Sequence, residues 1–335
     1  MLDWTGERFV PWAKEAAVAY EHLHRYIWAS SLVKDKRVLD LASGEGYGAN
    51  TLADHASFVC GVDIAEDVVR HAAEKYARPN LQFLKGSATR VPISESHSFD
   101  VIVCFEALEH IEQHDEFLQE IKRLLRPGGL CLVSTPNKEI YSVHKGLQNP
   151  FHLKELTFAE FNALLTRYFS NVSYLGQRVH PVSSMWPIAR SGALAVQEYA
   201  VERVEGEFRK IADGKRSALY FVAVASDAVG AGYPGSVLLD CSDELVKEKE
   251  RELAWLQGHV AQRDEALAWR AGQVETLESD LQGLQLRLKS TEDALKATEG
   301  ALKARTEELT AVHQSRGWKL VLKLRALRDR LAGLV

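Results

Sequence analysis

Three residues with acid–base capacity close a continuous apolar run: Phe99 to Phe105 is followed by Glu106-Ala107-Leu108-Glu109-His110. If a helical turn begins at Glu106, both carboxylates and the imidazole stand at i, i+3 and i+4 and share one face. The run before them reads as a strand buried on both faces. Their face then lies at a strand's carboxyl end, where open α/β sheets bind ligands. Further on, His152 closes the segment Asn149-Pro150-Phe151-His152. An imidazole titrates near neutral pH, so His110 or His152 can serve as general base toward a hydroxyl. The competing reading is that Glu109 and His110 only cap and orient the element after the strand.

A second group is the Gly-rich segment Leu39-Asp40-Leu41-Ala42-Ser43-Gly44-Glu45-Gly46-Tyr47-Gly48. It follows a strand-like run and opens a helix-like one. Gly44 and Gly46 let the backbone approach a ligand, and Gly48 permits tight packing between helix and strand. Such a turn alone is equally suited to a dinucleotide. About twenty residues on, Val62-Asp63-Ile64 ends the next strand, and an acidic residue there can accept both ribose hydroxyls of a nucleoside. The turn reads ASGEGYG rather than GxGxxG, and Asp40 places a carboxylate at its head.

Both groups need a frame. Strand-like runs occur at 37–41, 58–64, 81–84, 99–105 and 130–135, with helix-like spacing at 46–54, 66–76 and 117–125. Pro127-Gly128-Gly129 is expected to stop the third helix. This alternation predicts a parallel, doubly wound α/β sheet with right-handed crossovers. Residues 155–169 read as a further helix, and 172–177 and 218–225 as two last strands in an antiparallel pair at one edge. Between those strands lies a long insertion, 180–216, with Pro181, Met185, Trp186 and Pro187. Inserted segments of this length often cover an active site.

The order LDLASGEGYG, GVDI, FDVIVCFEALEHI and LLRPGGLCLVSTPN resembles the successive motifs of class I S-adenosylmethionine (SAM) dependent methyltransferases. TGERFVPW and EHLHRYIWA look like a subgroup found with polysaccharide-assembly proteins. The resemblance covers about residues 1–226. It implies a Rossmann-like seven-stranded doubly wound sheet, with the Gly-rich turn holding the amino-acid part of SAM and Asp63 the ribose. Arg25, with Arg8 second, is expected to meet the SAM carboxylate. Asp40, Ala42, Gly44, Gly46, Ile64 and Phe105 complete the expected cofactor site. Where the family usually has Asp for the adenine, this chain has Gly86-Ser87-Ala88; Ser87 is left to accept a bond and the Ala88 N–H to donate one. The ExxEH pattern resembles two metal-assisted O-methyltransferase groups, those of ubiquinone biosynthesis and those of small-RNA 2′-hydroxyls. That resemblance implies Glu106, Glu109, His110 and His152 as ligands of a divalent cation. Carboxylate and imidazole together suit Mg²⁺ or Mn²⁺ and, less strictly, Zn²⁺. The activity so implied is O-methyl transfer to a glycan hydroxyl, with a lipid-linked saccharide as partner. A phenol or small metabolite, an RNA hydroxyl and a non-catalytic SAM-binding scaffold are the alternatives.

The composition excludes several other classes. Net charge is −5, so nothing indicates a nucleic-acid surface. The four cysteines, Cys60, Cys104, Cys131 and Cys241, form no CxxC pair, so neither zinc nor a disulfide framework is indicated. Residues 1–11 lack the apolar core of a signal peptide, and no run reaches eighteen apolar residues. The expected location is cytoplasmic. Residues 227–239 read as a Gly-rich linker. Beyond them Val246, Leu253, Val260, Leu267, Val274, Leu281, Leu288, Leu295, Leu302 and Leu309 recur every seventh residue. Leu256, Leu277, Leu284 and Val312 fall three residues later, a position shared with Arg263, Arg270, Thr291, Thr298 and Arg305. This predicts a coiled coil over 240–313 that self-associates. The tail, 314–335, combines Trp318, Leu322, Leu324 and Leu327 with Arg316, Lys319, Lys323, Arg325, Arg328 and Arg330. It suits peripheral contact with an anionic inner membrane face, or a protein partner.

Overall fold

The computed structural model describes residues 9–11, 15–144, 149–185, 199–204, 207–210, 216–230 and 232–332. Arg8, Trp186 and Pro187 lie outside them. The chain divides into two units, 1–249 and 250–335.

In the first unit, helix α1 (Ala16–Ser30) precedes strand β1 (Arg37–Leu41), helix α2 (Tyr47–Leu52), strand β2 (Phe58–Asp63), helix α3 (Glu66–Lys75) and strand β3 (Leu81–Lys85). Strand β4 (Phe99–Cys104), helix α4 (His114–Leu124), strand β5 (Leu125–Pro136), helix α5 (Phe158–Thr166) and strand β6 (Asn171–Gln177) follow. Strands β7 (Val201–Val204) and β8 (Glu207–Lys210) pair with each other, and β9 (Tyr220–Ser226) returns to the main sheet. The order is β3-β2-β1-β4-β5-β9-β6. This is the seven-stranded Rossmann-like methyltransferase sheet.

β9 is antiparallel to both β5 and β6, so it lies inside the sheet, and β6 alone forms the edge opposite β3. All seven β9 residues are buried, which matches the apolar run 220–225 that Ser226 closes. Alternate strand residues feed two cores. Leu39, Leu41, Ile102 and Cys104 pack with Phe117, Ile121 and Leu124 of α4 and Phe161 and Leu165 of α5. Val38, Val101 and Val103 pack with Tyr26 and Ala29 of α1, Ala49 and Leu52 of α2 and Ala72 of α3.

Two local expectations differ. Strand β5 begins earlier than the expected 130: α4 ends at Leu124, ahead of Pro127-Gly128-Gly129, and those three residues lie within β5. Gly128 takes a left-handed φ of 74°, and a Cβ on Gly129 would stand 2.8 Å from the Asp100 carbonyl oxygen. The glycines thus bend the strand where its register against β4 shifts. α5 runs over Phe158–Thr166 rather than 155–169, and its later start is fixed by a capping box of Thr157 and Glu160.

Gly48 packs against a helix rather than a strand. A Cβ there would stand 2.1 Å from Cζ of Tyr26, whose buried ring lies edge-on to Tyr47 and Phe105. Gly48→Ala is therefore expected to destabilise the fold by about 1–3 kcal/mol or more, measured as a lower denaturant midpoint at unchanged slope.

Residues 234–248 return to α1. The Trp28 indole donates to the Pro234 carbonyl oxygen at 3.2 Å, His24 meets Ser236 at 2.8 Å, and Tyr20 donates its hydroxyl hydrogen to Asp240. Glu248 accepts the Ala16 N–H at 2.7 Å, at the start of α1. These contacts cover the stretch read from sequence as linker and early coiled coil.

Helix α6 (Glu244–Gln314) is 71 residues long with no buried side chain. Its seven-residue stripe is open, with Val260 57% and Leu302 69% exposed. Helix α7 (Arg316–Ala332) follows, with Leu320, Leu322, Leu324 and Leu327 exposed. Among the described residues no helix is long and apolar enough to cross a membrane.

Candidate functional site

The Gly-rich turn leaves β1 through left-handed backbone at Ala42, Gly44 and Gly46, with φ of 57°, 54° and 97°. Gly46 is required by packing as well, since a Cβ would stand 2.8 Å from Cβ of Ala72. The turn is pinned from three sides. Asp63, at the end of β2, accepts the Gly44 N–H on Oδ2 at 2.9 Å and the Ala65 N–H on Oδ1 at 3.0 Å. Glu45, fully buried, accepts from His71, Lys75 and Tyr76 at 2.7–2.9 Å and so fastens the turn to α3. Asp40 lies beneath the turn, fully buried, and accepts the Tyr26 O–H at 3.1 Å. Ile64, the residue after Asp63, is 71% exposed. Ser87 makes a local turn with Thr89, its Oγ 2.9 Å from Thr89 Oγ1 and accepting the Thr89 N–H, while Ala88 is half-buried.

Burial pushes the Asp40 carboxyl up to about 8, and the negative charge of Asp63 adds to that. Between about pH 4 and 8 the unfolded chain has released this proton and the folded chain has kept it. The contribution of Asp40 to stability is therefore present in acid and lost as pH rises through that window. Asp40→Asn keeps an acceptor for Tyr26 and removes the titration. Its melting temperature is expected to exceed that of the parent at pH 8, with the difference closing toward pH 4.

Arg25 enters from α1 and is 2% exposed. Its Nη1 donates to Gln177 Oε1 at 2.7 Å and stands 3.8 Å from Glu106, while its guanidinium lies 5.1 Å over the Tyr220 ring. Nε and Nη2 have no hydrogen-bond partner, and neither has Ser43 Oγ in the Gly-rich turn. Buried donors without partners are costly, so they mark places where a ligand oxygen completes the structure. A carboxylate suits the guanidinium by charge and by its two oxygens. With the Asp63 carboxylate for ribose, these residues fit the amino-acid and nucleoside parts of SAM.

Beyond β4 the helical turn expected from Glu106 is not formed. Glu106 is left-handed, with φ 52°, and a 3₁₀ turn covers only Leu108–His110. Ser134 on β5 explains this: its Oγ accepts the Glu106 N–H at 3.0 Å and donates to Glu106 Oε1 at 2.6 Å. Glu106 consequently faces Arg25, and Phe105 packs edge-on to Tyr26. Ligand atoms of Glu109, His110 and His152 lie within 4.8 Å of one another, and Glu106 stands outside this trio.

Backbone and side-chain partners fix the histidine tautomers. His110 Nδ1 lies 2.8 Å from the Phe151 carbonyl oxygen, so it carries the hydrogen and Nε2 the lone pair. Asn149 accepts the Phe151 N–H on Oδ1, which turns its amide nitrogen toward His152 Nε2 at 3.0 Å. His152 Nε2 must then accept, and its Nδ1–H is given to Glu155 at 2.6 Å. A ring nitrogen backed in this way by carbonyl or carboxylate is both a better base and a better metal ligand. A cation at the trio would displace Asn149 from His152 Nε2. Glu109 is 1% exposed and accepts from Thr135 at 3.3 Å; burial raises its carboxyl well above the usual range, reinforced by Glu106. A carboxylate so placed suits a cationic neighbour, and the trio fits a divalent ion through Glu109, His110 and His152.

Sequence reasoning did not reach Tyr26, Glu45, Gln177, Tyr220, Asn149 or Glu155. The last two had a faint local signal, since they sit three residues on either side of His152. Glu45 lies within the Gly-rich segment and Tyr26 beside Arg25, with their partners hidden, while Gln177 and Tyr220 are joined to the site only by the fold.

A methyltransferase domain family model matches residues 39–133. A protein of Mycolicibacterium smegmatis, named "Probable S-adenosylmethionine-dependent methyltransferase", is 38% identical over 173 residues, 49% of this chain and 63% of that protein. The ubiquinone biosynthesis O-methyltransferase of Coxiella burnetii is 30% identical over 118 residues, 34% of this chain and 49% of that enzyme. The match thus spans less than two thirds of these relatives' own lengths. Among solved structures, the YcgJ protein of Bacillus subtilis has a TM-score of 0.41 at 24% identity, covering 46% of this chain and 70% of that one. Residues 39–133 are thus similar to a methyltransferase domain, and the strand order and the Gly-rich turn bound to Asp63 are those of a Rossmann-like methyltransferase fold.

Proposed function

We propose that this chain transfers a methyl group from SAM to a hydroxyl oxygen of a glycan. The observation that carries the reading is the cluster of Glu109, His110 and His152, whose ligand atoms lie within 4.8 Å of one another, with each histidine Nδ1–H given to a carbonyl or carboxylate. SAM supplies an electrophilic methyl on a sulfonium. The hydroxyl oxygen takes that methyl, the C–S electron pair returns to sulfur, and the hydroxyl proton passes to an imidazole Nε2. A methyl ether, S-adenosylhomocysteine and one proton result. Asp63 holds the ribose, and Arg25 the carboxylate. A divalent ion held by Glu109, His110 and His152 would supply charge that lowers the pKa of the attacked hydroxyl.

The glycan is supported by the TGERFVPW-like segment and by the exposed apolar and basic α7, which suits an acceptor attached to lipid. The alternative acceptor is a phenol, favoured by the named activity of the Coxiella relative. The test is methyl transfer from labelled SAM to lipid-linked saccharide and to a catechol, with and without a chelator. Label in the saccharide is expected, and loss with chelator assigns the ion. Label in the catechol alone would move the acceptor, and no label in either, despite SAM binding, would leave a scaffold.

A further inference from the structure

Helix α6 carries an apolar stripe from Val246 to Leu309 with nothing upon it among the described residues, and the charges beside that stripe favour one arrangement of a partner. An α-helix has 3.6 residues per turn, so a stripe repeating every seventh residue stays on one side only if the helix winds around another. With Val246 at a heptad a position, the flanking g residues include Glu252, His259, Asp280, Arg287 and Glu308. The flanking e residues include Glu250, Asp264, Glu278, Glu292 and Glu299. One flank is therefore mostly acidic and the other mixed or neutral.

These flanks decide orientation. In a parallel, in-register pair each g residue faces the e residue five positions later on the other chain. That sets Arg287 against Glu292, His259 against Asp264 and Glu308 against His313, and among these flanking positions no two like charges meet; in the core, Arg263, Arg270 and Arg305 each face their own copies. In a fully overlapping antiparallel pair, e faces e and g faces g. Asp264 then meets Glu292, Glu252 meets Glu308, and Glu278 and Asp280 each meet their own copies. Every charged meeting in that alignment is repulsive.

The polar core positions point to two strands. Arg263, Arg270 and Arg305 occupy d positions. A two-stranded seam leaves its flanks in water, so these side chains lay their stems along the stripe and extend their guanidinium groups outward. Arg263 there reaches Asp264 of the second copy. A three-stranded core would enclose the same charges.

We propose that α6 binds a second copy of this chain as a parallel, in-register, two-stranded coiled coil. The inference is independent of the reaction: it concerns residues 250–313 and stands or falls without methyl transfer.

The test uses the full chain with Cys241→Ser, which leaves only the buried Cys60, Cys104 and Cys131. Light scattering should give twice the chain mass. Leu253→Cys alone should form an interchain disulfide under mild oxidation, because a parallel pair sets position 253 against itself. An antiparallel pair sets 253 against 305, so a mixture of L253C and R305C chains would cross-link to each other while L253C alone would not. Arg287→Glu should raise the dissociation constant several-fold, and Glu292→Lys in the same chain should restore it. Three chain masses, a monomer at micromolar concentration, 253–305 cross-links alone, or indifference to Arg287→Glu would each overturn the proposal.

Discussion

His152→Ala is expected to lower turnover by about 10²–10⁴ while leaving SAM affinity unchanged. The separation follows from geometry. SAM is to be held by the Gly-rich turn, Asp63 and Arg25, none of which touches His152. His152 is held by Asn149 and Glu155, and its ring lies 5.1 Å from that of His110. The same substitution removes the proposed base or metal ligand, so the variant alone does not separate the two roles. A chelator does: if the trio holds an ion, chelation abolishes turnover of the parent enzyme and Mg²⁺ or Mn²⁺ restores it. If an imidazole acts alone, chelation changes nothing. Glu155→Gln keeps an acceptor for the Nδ1–H without the negative charge, and should retain more activity than Glu155→Ala. Full turnover by His152→Ala, measured at saturating SAM, would remove His152 from the chemistry.

Asp63→Ala should weaken SAM binding at least tenfold by calorimetry. Each hydrogen bond from a neutral donor to a charged acceptor contributes about 1.5–3 kcal/mol, and both ribose hydroxyls are assigned to this carboxylate. The same carboxylate accepts the Gly44 and Ala65 N–H groups. The substitution therefore also frees the Gly-rich turn, and the loss should exceed that from the ribose alone. Asp63→Asn retains acceptor capacity with less charge and should fall between the two. Unchanged affinity in Asp63→Ala, with the fold intact by melting, would refute the ribose assignment.

How much of this was legible depended on the distance over which each feature is encoded. The β1, β2, β3 and β4 strands, the Gly-rich turn and the seven-residue stripe were all readable from neighbouring residues. Each follows from a local rule: apolar runs for buried parallel strands, glycine at left-handed backbone, spacing of seven for a coiled seam. The candidate residues were also readable as types, since carboxylates and imidazoles near a strand's end are few.

Their grouping was decided elsewhere. Glu106 was expected to join Glu109 and His110 on a helical face, but the Ser134 hydroxyl on the neighbouring strand holds its backbone left-handed and turns its carboxylate toward Arg25. Arg25 itself depends on Gln177 and Tyr220, brought beside it because β9 enters the sheet between β5 and β6. The Glu45 carboxylate reads as one more residue of a Gly-rich turn, yet the position of α3 makes it a buried acceptor for three donors. The sequence by itself determined the elements and the chemical types at their ends, because backbone preferences act over a few residues. Only the tertiary structure decided which of those groups meet. Hydrogen bonds and burial act between atoms within a few ångströms, and the chain neighbours that share those ångströms are set by sheet order rather than by spacing along the sequence.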